Sequence, residues 1–121
     1  MYAPIFDVCE SDPAVTALLG ISPMRLYLFG VAPKNVAKPY AVWQLVAGGP
    51  LNRLSGRADI DSQRLQVDAY AETASAARQV VEAIRSAIEL HCNISSFNGD
   101  SQDPETLNYR SSFDVAWLVE R

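Results

Sequence analysis

Apolar residues recur along the chain with two different periods, and the places where the period changes divide it into elements. Ile5, Val8 and Cys9 share one helical face, and Pro4 suits a first turn. Asp12 and Pro13 then form a second helix start, an N-cap followed by a first-turn proline. Ala14, Val15, Leu18 and Leu19 follow at helical spacing, and Gly20 closes the turn. The pattern predicts one broken helix or two short ones over about residues 3–19. Arg25 to Phe29 reads as a short strand stopped by Gly30. Pro33 and Pro39 punctuate the loop that follows, and Pro39 forces the next strand to begin at Tyr40. Over Tyr40 to Ala47 one face carries Tyr40, Val42, Gln44 and Val46. The other carries Ala41, Trp43, Leu45 and Ala47. Both faces are apolar enough to be covered. Gly48-Gly49-Pro50 is expected to end this strand, and Leu51 to Asp61 to form a polar projecting loop with its tip at Ser55-Gly56.

The second half is more sharply patterned. In Ser62 to Tyr70, Leu65, Val67 and Ala69 alternate with Arg64, Gln66, Asp68 and Tyr70, the mark of a half-buried strand. Thr73 or Ser75 caps the main helix. Its apolar stripe of Ala77, Val80, Val81, Ile84, Ala87 and Ile88 is expected to continue through Leu90. Arg78, Glu82, Arg85 and Glu89 take the wet side, with two i,i+4 pairs. Cys92 to Phe97 reads as a short strand and Asn98 to Thr106 as a polar loop. Asn108 to Glu120 reads as a final strand, long enough that its excess is expected to pair beyond its own sheet. The order predicts a single α+β domain over residues 1–121. Its antiparallel sheet has four to five strands, with the main helix packed on one face and a short N-terminal helical segment. The opposite sheet face carries Arg64, Gln66 and Asp68 beside Tyr70 and either Tyr40 or Trp43. That mixture is too apolar for pure solvent and too polar for a core, as in a protein contact surface.

Charge narrows the roles. With 10 Lys+Arg against 14 Asp+Glu the net charge is −4, a poor basis for gripping nucleic acid through a general basic surface. There is no apolar run long enough for a spanning helix. The first residues have no basic region, so no signal peptide is expected. Cys9, His91 and Cys92 form no CxxC motif. His91 and Cys92, being adjacent, do not face one another on a strand or stack on a helix. The thiols are read as small buried apolar groups and His91 as a helix-end residue. Phosphate-binding glycine loops, HExxH and GxSxG are absent from the sequence. Asp59, Asp61 and Asp68, and the acids within Asp100 to Glu105, are read as surface or inter-subunit charges rather than metal ligands. No catalytic residue, cofactor or metal site is assigned, and the chain is read as not an enzyme.

Arginine makes up eight of the ten basic residues, and arginine is the better residue for bidentate pairing at interfaces. The candidate subunit-interface residues are therefore Arg53, Arg57, Asp59, Asp61, Arg64, Gln66, Asp68 and Arg110. They fall into two patches, the Arg53–Asp61 loop and the polar–aromatic sheet face.

The words of the sequence then carry a resemblance. "SDPAVTALLG" (Ser11 to Gly20) is followed by "RLYLFGVAPKNVAKPYAVWQLVAG" (Arg25 to Gly48). After these come "RLQVDAYAETASAARQVVEAIRSAI" (Arg64 to Ile88) and "DPETLNYRSSFDVAW" (Asp103 to Trp117). In this order and spacing the chain resembles the tail completion or minor tail proteins of phages, relatives of the tail terminators of long-tailed phages. The loop Leu51 to Asp61 is shorter and less glycine-rich than in some relatives. The resemblance implies a structural virion protein without catalytic residues or cofactors. It implies self-association into a ring, a hexamer, that caps the tail tube at its head-proximal end. Its partners would be the tail tube protein and the head–tail connector proteins. Assembly would take place in the host cytoplasm, and DNA would pass through the ring without specific binding. No membrane partner is implied. The other readings are a head–tail joining protein, a small non-viral ligand-binding domain that dimerises through its sheet, and an enzyme of unrecognised type.

Overall fold

The computed structural model describes residues 3–21, 23–50 and 60–120. Two short helices open it, α1 over Ile5–Glu10 and α2 over Pro13–Leu19. Asp12 divides them. Its backbone is extended and its carboxylate accepts from the Ala14 and Val15 amides at 2.9 and 3.3 Å, the N-cap expected of Asp before Pro. Gly20 ends α2 at φ +86°, a conformation that glycine adopts without a steric penalty. Ile5, Cys9, Val15 and Leu19 are fully buried. The N-terminus is further fixed by Gln63, whose side-chain oxygen accepts from the Ala3 amide at 2.8 Å in a buried setting.

Five strands form one sheet among the described residues, in the order β1-β2-β3-β5-β4. They are β1 (Leu26–Leu28), β2 (Tyr40–Pro50), β3 (Ile60–Ala71), β4 (Asn93–Gln102) and β5 (Tyr109–Glu120). β2, β3, β5 and β4 are antiparallel, while β1 runs parallel to β2 over three residues. The fold is therefore α+β, as the pattern predicts, with a mixed sheet. Helix α3 (Ala74–Ile88) is capped by Thr73, whose hydroxyl accepts from the Ala76 amide at 3.1 Å. It buries Ala77, Val80, Val81, Ile84 and Ile88 against the sheet. Facing it are Ala41 and Trp43 of β2, Leu65, Val67 and Ala69 of β3, and Phe113, Val115 and Trp117 of β5. Trp43 thus belongs to the core, which leaves Tyr40 to the opposite face.

Several boundaries move, each for a local reason. β2 runs on through Gly48-Gly49-Pro50 because Val46 is bulged out between Leu45 and Ala47, and pairing with β3 resumes beyond it. Gly48 permits this, since a Cβ there would stand 2.7 Å from the Ser62 carbonyl oxygen. β4 absorbs most of the expected polar loop. Ser95 and Asn98 are each an extra residue in its ladder with β5, and Gly99 takes φ +87° to let the strand continue. Leu90 lies past the end of α3 and is 90 % exposed, so the stripe stops at Ile88. The long β5 is interior. β3 pairs with it along its whole length and β4 along most of the other side, so its length is used inside its own sheet.

The edge strand β4 is held to the helix layer by charge. Asp100 accepts from the Ser111 hydroxyl and from Arg78 of α3, both at 2.6 Å. These contacts hold the Asp100 carboxyl below the usual carboxylate range. Arg85 contacts Glu89 at 3.6 Å and also lies over the Phe97 ring, 5.2 Å from its centroid.

Two predictions follow from this packing. Phe113→Ala, which empties a fully buried site, lowers the unfolding free energy in urea by about 3–5 kcal/mol. Leu118→Ala, on the helix-free face and 55 % exposed, changes it by about 0.5 kcal/mol or less. Equal effects would contradict the assignment of faces. Asp100→Asn lowers stability most near neutral pH. A carboxyl with a depressed folded-state pKa contributes above its unfolded value and loses that contribution as pH falls through the folded one. The gap between Asp100→Asn and the native chain, followed by thermal melts, therefore closes on acidification.

Candidate assembly surface

The even-numbered residues of β3 and β5 point away from α3, and none of the described helices packs over them. The side chains there satisfy one another. Arg110 donates from Nη2 to Asp68 Oδ1 at 3.0 Å, and Gln66 Nε2 reaches the same carboxylate at 3.2 and 3.3 Å. Arg64 lies 3.4 Å from Asp114, which also accepts from Asn98 of β4 at 2.8 Å. Register produces these contacts: Gln66 is opposite Asp114, Asp68 opposite Ser112 and Tyr70 opposite Arg110. Asp68 is only 6 % exposed and Ser112 only 4 %, although none of the described helices covers them. Gln66 and Arg110 bond to Asp68, and Asn98 donates to the Ser112 hydroxyl at 3.3 Å.

Three of the expected interface residues on this face are therefore brought together with Arg110: Arg64, Gln66 and Asp68. Asp61 is on β3 as well, but its odd position places it on the helix side, near the Pro50 end of the sheet. Arg53, Arg57 and Asp59 lie outside the described residues.

Sequence reasoning missed a cleft at the other end of the same face. Tyr40, Tyr70, Arg110 and Ser101 form a row across β2, β3, β5 and β4. The two tyrosine rings stack, with centroids 5.1 Å apart and planes 18° from parallel. The turn between β4 and β5 walls the row. In it, Asp103 accepts from the Glu105 and Thr106 amides at 2.8 and 3.3 Å, which holds its carboxyl below the usual range. The open cleft has a volume of about 440 Å³. Burial raises the Tyr40 hydroxyl, and burial together with the Asp68 charge raises that of Tyr70. The Nε of Arg110 is buried without a hydrogen-bond partner. The only signal for this cleft in the sequence was that Tyr40, Tyr70 and Arg110 share a strand parity. Their register across three strands was not legible.

A second exposed area is apolar. Phe29 and Leu45 meet at the end of β1, where the Phe29 amide donates to the Trp43 carbonyl at 2.8 Å and β2 continues past its short neighbour. Phe29 is 66 % exposed, and Leu45 and Val46 are partly so.

Burial pushes the Cys9 thiol up to about 12 and the Cys92 thiol up to about 11, which removes the thiolate needed for nucleophilic chemistry. His91 lies beyond the end of α3 with its ring stacked over Trp117, 6.5 Å between centroids. No group of three His, Cys, Asp or Glu suited to a metal ion occurs among the described residues. No helix among them is long and apolar enough to cross a membrane.

A chain of the solved structure titled "Virion of native gene transfer agent (GTA) particle" is similar in fold, with a TM-score of 0.72 at 12% identity. The match covers 97% of this chain and 92% of that one. No curated protein sequence matches. The model of the family described as tail completion protein gp17 matches residues 3–120, nearly the whole length, and the chain therefore belongs to that phage tail completion family.

Proposed function

We propose that the protein is a structural subunit of a phage tail, one that assembles into a ring closing the head-proximal end of the tail tube and offering a surface for head joining. Membership of the tail completion family over residues 3–120 is the observation that carries this reading. A related fold within a gene transfer agent virion is in keeping with a place in a particle. The ring is argued from the two ends of one hairpin. The antiparallel pairing of β2 with β3 puts Tyr40 and Tyr70 at one end and Pro50 and Asp61 at the other. Two unlike surfaces on one subunit suit a head-to-tail contact, and head-to-tail contacts between identical chains give a ring where the rotation from one subunit to the next closes. The exposed apolar corner of Phe29, Leu45 and Val46 adds area that a lone chain leaves wet.

The role is mechanical rather than catalytic. Arg64 and Arg110 are held by carboxylates of their own chain, and both thiols are buried to some degree and held protonated. An acidic subunit with a net charge of −4 also suits a channel that DNA crosses, because strong phosphate contacts would retard passage. The interface set of Arg53, Arg57, Asp59, Asp61, Arg64, Gln66, Asp68 and Arg110 is retained in this proposal, with two different duties. Arg64, Gln66, Asp68 and Arg110 neutralise one another and their neighbours on the helix-free face, whereas Arg53, Arg57, Asp59 and Asp61 are assigned to pairing with a neighbouring copy.

Light scattering of the native chain, over rising concentration and with tail tube protein added, is expected to show a closed oligomer of about six chains. Arg53→Glu combined with Arg57→Glu keeps the native circular dichroism and melting curve but stays monomeric. An oligomer of unchanged mass in that variant would remove the loop from the interface. A stable two-chain species carrying a bound metabolite would overturn the ring.

A further inference from the structure

We infer that opposite edges of the sheet form one contact between copies of this chain. The basic loop between β1 and β2, with Lys34 and Lys38, lies against the acidic turn between β4 and β5, with Asp103 and Glu105, of the next copy. The inference rests on the proposed head-to-tail assembly and names its two contacting parts.

Charge is divided by position in the sheet. From Pro13 to Pro50 the sequence holds no acidic residue. Its charges there are Arg25, Lys34 and Lys38, the last two being the only lysines of the chain. From Cys92 to Asn108 it holds no basic residue, and its charges are Asp100, Asp103 and Glu105. The first stretch contains β1 and β2, the second β4 and its turn into β5, and β1 and β4 are the opposite edges of the sheet.

Internal pairing leaves two charges over on each edge. Arg25 donates to the Leu18 and Pro39 carbonyls, which holds the end of the loop on the β1 side. Asp100 is taken up by Arg78. Lys34 and Lys38 are exposed, and neither forms an ion pair with a described residue. The same holds for Asp103 and Glu105. Two backbone amides keep Asp103 ionised without a cation beside it.

The two sets stand at the same height. Lys38 comes two residues before Tyr40, and Asp103 two residues after Ser101. Tyr40 and Ser101 end the row that crosses β2, β3, β5 and β4. Three strand spacings, about 14 Å, separate those ends. A second copy displaced sideways along the row brings its lysines to the Asp103 turn with no shift along the strands. Such a step, repeated, joins the same two edges every time, which is a head-to-tail contact.

Apolar area accompanies the charges. Phe29 and Val31 are exposed where β1 enters the loop, and Phe97 and Leu107 on the opposite edge. Leu107 is fixed at φ +63° in a turn closed by its amide on the Asp103 carbonyl at 2.8 Å. Charges of opposite sign beside two such apolar patches set orientation and register. Bulges at Val46, Ser95 and Asn98 blunt both edges for direct strand pairing, so side chains make the contact.

Exchanging the charges tests this. Lys34→Glu with Lys38→Glu makes the basic loop acidic. Asp103→Asn with Glu105→Lys makes the acidic turn basic, and the asparagine oxygen preserves the turn that Asp103 makes. Melting curves confirm that each variant is folded. At low salt each alone is expected to stay monomeric at concentrations where the native chain assembles. Self-association is weakened about tenfold or more, because like charges then meet. The second variant has a smaller net charge than the native chain, so general repulsion does not account for its loss. Mixed in equal amounts, the two should assemble again, since every joint between unlike variants brings opposite charges together. A chain with all four substitutions should assemble alone.

If either variant assembles as the native chain does while the native chain forms rings, the edge contact is overturned and the ring stands. A mixture that stays monomeric also overturns the contact. If the native chain forms open head-to-tail chains and the mixture restores them, the contact stands and the ring falls. A native chain that stays monomeric with tail tube protein present, or that forms only a two-fold dimer, overturns both.

Discussion

β3 and β5 lie side by side residue for residue, from Ile60 opposite Glu120 to Ala71 opposite Tyr109. The rest of the molecule hangs on that ladder. Strand alternation gives the pair two unlike faces. The odd positions Leu65, Val67, Phe113 and Val115 are fully buried under α3. The even positions Arg64, Gln66, Asp68, Arg110 and Asp114 form a polar network on the other side. A slip of one residue in this pairing would exchange the two sets, placing charges under the helix and phenylalanine in water. The register is therefore held by burial on one face and by ion pairing on the other.

That two-sidedness is what the proposed assembly draws on. A monomer with one bare sheet face would ordinarily cover it with polar side chains extending into water. Here those side chains lie across the sheet and neutralise each other, to the point that Asp68 is nearly inaccessible. A flat face of low net charge can lie against another surface, or along a channel, with little desolvation cost from unpaired charge. Arginine–carboxylate pairs with half-exposed arginines, as here, add little to stability in themselves.

Much of this was legible in the sequence. The Asp12-Pro13 cap, the Thr73 cap, the stripe from Ala77 to Ile88 and the alternation of β3 all follow local rules, and all four appear as expected. The misses share a cause. Bulges at Val46, Ser95 and Asn98 insert residues that look like strand ends or loop, so period-two patterning fails where the sheet continues. The parallel pairing of β1 is set by a three-residue strand, too short to carry a pattern. The candidate surface was half visible. Arg64, Gln66 and Asp68 share a strand face, and their parity alone groups them. Tyr40 and Arg110 join them only through the order of strands in the sheet, which no local rule specifies. Asp61, grouped with the 51–61 loop from the sequence, is part of β3 and lies on the helix-side face.

The central claim is that one subunit carries two unlike contact surfaces that meet head to tail in a closed ring. Native mass spectrometry of the assembled chain, with electron microscopy of the same sample, tests it most directly. The account predicts one species of about six chains of 13.2 kDa, seen as a ring with one rotation axis through an open centre. A two-fold dimer joined face to face through the helix-free sheet would contradict it.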